Sequence, residues 1–140
     1  MIRIVIDTNL YVSALINSNS RQRLDQILQN EQVVILMDAA AVSELHMVIH
    51  RPKFQKWVTP EQIDDFFQLI TERAVVAETT SVIRLSPDSN DDFLLALCLD
   101  NKADYLITGN KLDLLALERI GGTQIITLTE FLERIVTGLL

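Results

Sequence analysis

Four short runs of apolar, largely β-branched residues punctuate the chain: Ile2 to Ile6, Val33 to Met37, Tyr105 to Thr108 and Gln124 to Thr127. None alternates polar with apolar residues along its length, as a strand with one wet face would. Such runs predict strands buried on both faces, the condition of a parallel sheet covered by helices. Parallel strands need long crossovers, and the segments between these runs carry helical periodicity. The order reads β α α β α α, a further short strand left open, then α β α β α. This predicts an α/β fold, a three-layer α/β/α sandwich around a central, mainly parallel sheet of four to five strands. In sheets of this kind ligands sit beyond the carboxyl ends of the strands, so polar residues there are where chemistry is to be sought.

The helices announce themselves by spacing and caps. Leu24, Ile27 and Leu28 mark one, and Val42, Leu45 and Ile49 mark another that Asp38 can cap. Ile63, Phe66, Phe67 and Ile70 mark a third, opened by Thr59-Pro60-Glu61-Gln62 with a hydroxyl at the cap, proline at the first position and Gln where a capping box needs it. Asp91 to Asn101 is apolar almost all round, which predicts a central helix. Lys111 to Ile120 reads as a helix stopped by Gly121-Gly122, and Thr127 to Glu130 as the capping box of the last helix.

Length and charge bound the rest. With 140 residues, four Gly and three Pro, the chain predicts one domain over residues 1–140 without linker or repeat. Twelve basic residues against nineteen acidic give a net charge of −7, so no overall positive field draws in nucleic acid. No apolar stretch approaches the roughly 18 residues of a membrane span, and the N-terminus lacks the basic and apolar regions of a signal peptide. The lone Cys98, inside an apolar run, forms no intramolecular disulfide and reads as a reduced core thiol. Together these predict a cytoplasmic protein with no membrane partner.

Acidic residues recur where such a sheet would bind a ligand. Asp7 follows the first run, with Thr8 and Asn9 after it. Glu44 lies one residue before Leu45 of an apolar stripe, at the edge of a buried face. Asp91 shares a helical face with Leu94, Leu95 and Cys98, which aims it inward, and Asp92 is its neighbour. Each has an ordinary reading: Asp7 as a cap, Glu44 as a solvated glutamate, Asp91 and Asp92 as acids favoured in a first helical turn. Converging on one point, they would repel unless a divalent cation lay among them, and an all-oxygen set selects Mg²⁺ or Mn²⁺. Such a centre activates water and stabilises the charge of phosphodiester cleavage, which points to a metal-dependent nuclease.

Other chemistries fit less well. His46 and His50 have helical zinc spacing but no further Cys or His completes a shell. Arg51, Lys53 and Lys56 form a short basic patch, a solvated face or a contact for RNA phosphates, and Lys111 is a further candidate for substrate contact. Neither a phosphate loop nor a dinucleotide-binding fingerprint occurs, and Ser13 and Ser43 lack the glycines of a nucleophile elbow. A phosphatase with Asp7 as nucleophile would want an aspartate where Asn9 stands.

Ile4-Val5-Ile6-Asp7-Thr8-Asn9, Val42-Ser43-Glu44-Leu45 followed by Arg51-Pro52-Lys53-Phe54, Asp88-Ser89-Asn90-Asp91-Asp92, and Ala103 to Asn110 stand in an order and at spacings that together resemble the PIN-domain family. The likeness is greatest to its bacterial branch of toxins in toxin–antitoxin systems, the VapC toxins, and spans nearly the whole chain. The resemblance implies an endoribonuclease dependent on Mg²⁺ or Mn²⁺, with Asp7, Glu44 and Asp91 as metal-binding acids. It implies a cognate antitoxin protein as partner and a homodimer or higher even oligomer. Many relatives carry aspartate where this chain has Asn110, so Asp113 is the candidate for a fourth acidic place. Thr8, Asn9 and Thr108 are candidates for orienting the carboxylates or a water, and the Asn110 amide can still ligate a cation or orient water without supplying charge. The missing acid keeps open a catalytically silent domain that binds RNA or protein through the same cleft.

Overall fold

A computed structural model describes residues 1–109 and 111–138. It is an α/β/α sandwich around a six-stranded sheet ordered β3-β2-β1-β4-β6-β5. The strands are β1 (Ile2–Ile6), β2 (Val33–Met37), β3 (Val75–Val76), β4 (Tyr105–Thr108), β5 (Arg119–Ile120) and β6 (Thr123–Thr127). All neighbours pair in parallel except β5, which runs antiparallel to β6. The helices are α1 (Thr8–Ile16), α2 (Ser18–Leu28), α3 (Ala39–Ile49), α4 (Pro60–Arg73), α5 (Ser89–Asp100), α6 (Leu112–Leu115) and α7 (Leu128–Thr137), with a 3₁₀ turn at Pro52–Lys56.

The unbroken apolar runs do what their pattern requires. Ile4, Val5, Ile6, Ile35, Leu36, Leu106 and Ile107 are buried at the middle of the sheet, each worth about 1.5–3 kcal/mol on full burial. Leu94, Leu95, Leu97 and Cys98 of α5 join the same core, and burial pushes the Cys98 thiol well above its ordinary pKa. Phe93 and Leu99, on the opposite side of α5, reach solvent, so the helix is central without being wholly enclosed. Asp38 caps α3 by accepting from Ala41 N, and Thr59 and Gln62 form the reciprocal capping box of α4. No helix among the described residues is long and apolar enough to cross a membrane.

Two features differ from the sequence reading, and both lie at sheet edges. The sheet has six strands, not four to five, because β3 and β5 are only two residues long and too short to carry a pattern. The expected helix from Lys111 to Ile120 stops after Leu115. Glu118 takes φ +59°, which no helix accommodates, and Arg119–Ile120 turn back to pair with Thr123 and Gln124. Gly121-Gly122 is thus the two-residue loop of a hairpin, not a helix stop. Gly121 has φ +56°, as the first central position of a II′ turn demands.

The topology places the site. From β1 the chain steps outward to β2 and β3, then returns to β4 on the other side of β1 and steps outward again to β6. Connections leaving β1 and β4 therefore diverge, opening a crevice beyond the carboxyl ends of these two central strands. Asp7 follows β1 and Thr108 ends β4 at that crevice.

Candidate active site

A cavity of about 170 Å³ lies there, lined by Asp7, Thr8, Asn9, Glu44, Asp88, Asp91 and Lys111, with Arg51 and Asn90 among its other walls. Four carboxylates thus face two cations. The four acids arrive from three places: Asp7 at the junction of β1 and α1, Glu44 from α3, Asp88 and Asp91 from the start of α5.

Asp7 is 4% exposed. Its Oδ2 accepts from the buried Thr108 hydroxyl at 2.9 Å and its Oδ1 from Asn9 N at 3.3 Å, the latter capping α1. Burial pushes its carboxyl above the ordinary value despite these donors and Lys111, and the Asp91 charge adds to the rise. Glu44 is half-buried, its Oε2 accepting from Thr8 Oγ1 at 3.3 Å. Burial raises its carboxyl too, with Thr8 opposing and the charges of Asp7 and Asp88 adding.

The start of α5 gives two adjacent acids opposite surroundings. Asp91, 1% exposed, turns into the cavity, where its Oδ1 takes the Lys111 ammonium at 2.7 Å and its Oδ2 the Ser86 hydroxyl at 3.2 Å. Asp92 turns the other way, and its Oδ1 accepts from Leu85 N at 3.0 Å and Ser86 N at 2.8 Å, fixing the strap that leads into the helix. Asp88 caps α5 through Asn90 N and gives its other oxygen to Lys111 at 2.9 Å, which holds its carboxyl below the ordinary value.

Of the residues singled out in the sequence, Asp7, Glu44, Asp91, Thr8, Asn9, Arg51 and Lys111 come together on this cavity, and Thr108 supports Asp7 from beneath. Asp92 and Asp113 do not line it. Asp113 is exposed on the single turn of α6, two positions past Lys111, and the fourth carboxylate lining the cavity is that of Asp88. Lys53 also lies apart, its Nζ 5.1 Å from the centre of the Phe54 ring. Asn110 lies outside the described residues. Asp88 and Asn90 are the polar lining residues that sequence reasoning does not select. Asp88 reads as a simple cap, and its pairing to Lys111, 23 residues away, leaves no local signal.

A second, more apolar cavity of about 260 Å³ adjoins the first across Glu44, Val48, Arg51, Asn90 and Leu94. Its outer wall carries Met47 and Phe93, both more than half exposed.

A family model described as the PIN domain matches residues 3–112, which hold all four acids of the cavity. The chain belongs to the PIN domain family. This PIN domain is 29% identical over 119 residues to an uncharacterised protein of Methanocaldococcus jannaschii, an alignment covering 83% of this chain and 75% of that protein. Its fold is shared with the structure of VapBC2 from Rickettsia felis bound to a DNA fragment from their promoter. There the TM-score is 0.59 at 16% identity, over 90% of this chain and 98% of that one. A DNA-bound VapBC from Salmonella typhimurium matches equally, with a TM-score of 0.59 and 16% identity over 91% and 99% of the two chains.

The donor set of this PIN domain fits a hard dication in kind: oxygen only, carboxylate throughout, partly desolvated. Among the described residues no three acidic, histidine or cysteine side chains are drawn together closely enough to share one ion. The protein's own donors hold the carboxylates instead: Thr108 and Asn9 on Asp7, Thr8 on Glu44, Ser86 and Lys111 on Asp91.

Proposed function

We propose that this PIN domain is a metal-dependent endoribonuclease, a VapC-like toxin restrained by a cognate antitoxin protein in the cytoplasm. One observation carries the reading: Asp7, buried at the switch point of the sheet, shares a cavity with Glu44 and Asp91 from two other elements. Asp7, Glu44 and Asp91 would hold Mg²⁺ or Mn²⁺, with Asp88 beside them. When bound, the dication supplies charge for the phosphate oxygens and acidifies a water.

The chain's own residues do the rest. Thr108 and Asn9 fix the direction of the Asp7 carboxylate, so that it need not reorganise as charge builds up. Glu44, with its carboxyl raised by burial, accepts the proton of the attacking water. That water bonds to phosphorus as a phosphorus–oxygen ester bond breaks, and the leaving oxygen takes up a proton from solvent, to which Glu44 releases the one it accepted. Arg51, on the rim of both cavities, meets an RNA phosphate where the net charge of −7 would otherwise repel it.

The antitoxin reading rests on likeness of fold to VapBC complexes and on the apolar cavity beside the acids. A protein segment seated against Met47 and Phe93 would cover the entrance to the acidic cavity. An even oligomer of the chain belongs to the same reading.

The test is cleavage of a mixed single-stranded RNA by the purified chain in Mg²⁺ or Mn²⁺, with EDTA and an Asp7→Asn variant alongside. Cleavage lost in both controls supports the reading. Undiminished cleavage by Asp7→Asn refutes the site, and no cleavage with either metal favours a domain that binds without cutting.

A further inference from the structure

The Lys111 ammonium bridges two carboxylates of the cavity, 2.7 Å from Asp91 Oδ1 and 2.9 Å from Asp88 Oδ2. The two acids differ in what they need from it. Asp88 keeps 43% of its side chain exposed and is already employed as the cap of α5, so it would stay solvated without a lysine. Asp91 is buried, and a buried carboxylate without a counter-charge is costly. Lys111 supplies that charge in the cation-free protein. It is also built to let go: a point charge on a flexible stem, 28% exposed, at the N-cap of a helix only one turn long.

We propose that Lys111 is a tethered counter-ion that occupies the acidic cavity in place of a divalent cation and must leave Asp91 for one to bind. The inference rests on the reading of Asp7, Glu44 and Asp91 as the cation-holding acids. An ammonium 2.7 Å from Asp91 Oδ1 puts a positive charge beside any dication that this carboxylate would ligate, and two cations in one small cavity repel. Apparent affinity for the metal is then the intrinsic affinity reduced by the fraction of molecules in which Lys111 has swung out. The lysine offsets the charge of Asp91 and sets the metal concentration at which a dication takes its place. Lys111 is accordingly a positioning residue, acting through Asp91.

Calorimetric titration of Mn²⁺ into the full chain tests this without recourse to activity. Lys111→Met should bind about tenfold more tightly than wild type if Lys111 occupies the site in about nine molecules of ten. Lys111→Arg, which keeps the charge, should stay near wild type, and Asp7→Asn should bind more weakly. Thermal melting gives a second readout. Lys111→Met should melt below wild type in EDTA, with the deficit closing at saturating Mn²⁺, whereas a purely structural salt bridge would leave it unchanged. Lys111→Gln serves the same ends should the methionine pack badly. Unchanged or weaker Mn²⁺ binding by Lys111→Met, with Asp7→Asn impaired, would overturn the competition and leave the proposed site standing. Equal binding by Asp7→Asn and wild type, or binding by none of the variants, would overturn both.

Discussion

At Asp7 the carboxylate is held where the fold disfavours its charge. Burial pushes its pKa up, and Thr108 and Asn9 only partly offset this. Asp7→Asn should therefore abolish RNA cleavage while the metal-free variant melts at or above the wild-type temperature, which activity and melting measured on one preparation would check. The neighbours Asp91 and Asp92 should behave oppositely. Asp91→Asn is expected to lose activity and keep its fold. Asp92→Ala strands the amides of Leu85 and Ser86 and should lower stability by about 1–3 kcal/mol in urea titration. Helical spacing makes Asp91 face the core, and the structure turns it into the cavity, so that part of the site is legible from periodicity alone. The role of Asp92 is not, because its partners lie in an irregular strap with no pattern of its own. Asp88 escaped for a related reason: its partner Lys111 is distant in sequence, and an aspartate before a helix already has a sufficient local explanation.

Whole elements were legible in proportion to their length. β1, β2, β4 and β6 are four or five residues long and bury three or four of them in an unalternating pattern, and the caps at Asp38, Thr59 and Thr127 mark their helices. The β5–β6 hairpin was not, because Gly-Gly after an apolar segment is equally a helix stop and a tight turn, and only pairing with β6 decides between them. Gly121→Ala should expose the difference. A Cβ there meets Leu99 Cδ1 at 2.9 Å on a backbone already at φ +56°, so denaturant melts should show destabilisation of about 1 kcal/mol or more. Between α3 and α4, His50 Nε2 lies 2.9 Å from Asp64 Oδ1, and this bond, aided by the His46 carbonyl, raises the imidazole pKa. A raised histidine stabilises the fold below its unfolded pKa, and that contribution is lost as pH rises through the folded value. Asp64→Asn should thus lower the melting temperature slightly near pH 5.5 and leave it almost unchanged near pH 9, the effect being small because Asp64 is exposed.

For the molecule as a whole, strand order matters more than any single contact. Because the chain leaves β1 in one direction and β4 in the other, one crevice collects side chains from β1, α3 and α5 that lie up to 84 positions apart between Asp7 and Asp91. An overall charge of −7 turns RNA away from most of this surface, so engagement should depend on the few cations at the crevice and on a dication within it. The most direct test is single-turnover cleavage of an end-labelled single-stranded RNA in Mn²⁺ by wild type, Asp91→Asn and Asp92→Asn. The account predicts Mn²⁺-dependent cleavage by wild type and by Asp92→Asn in its folded fraction, with Asp91→Asn slower by at least about a hundredfold. Wild-type rates from Asp91→Asn, or cleavage indifferent to Mn²⁺ and EDTA, would contradict it.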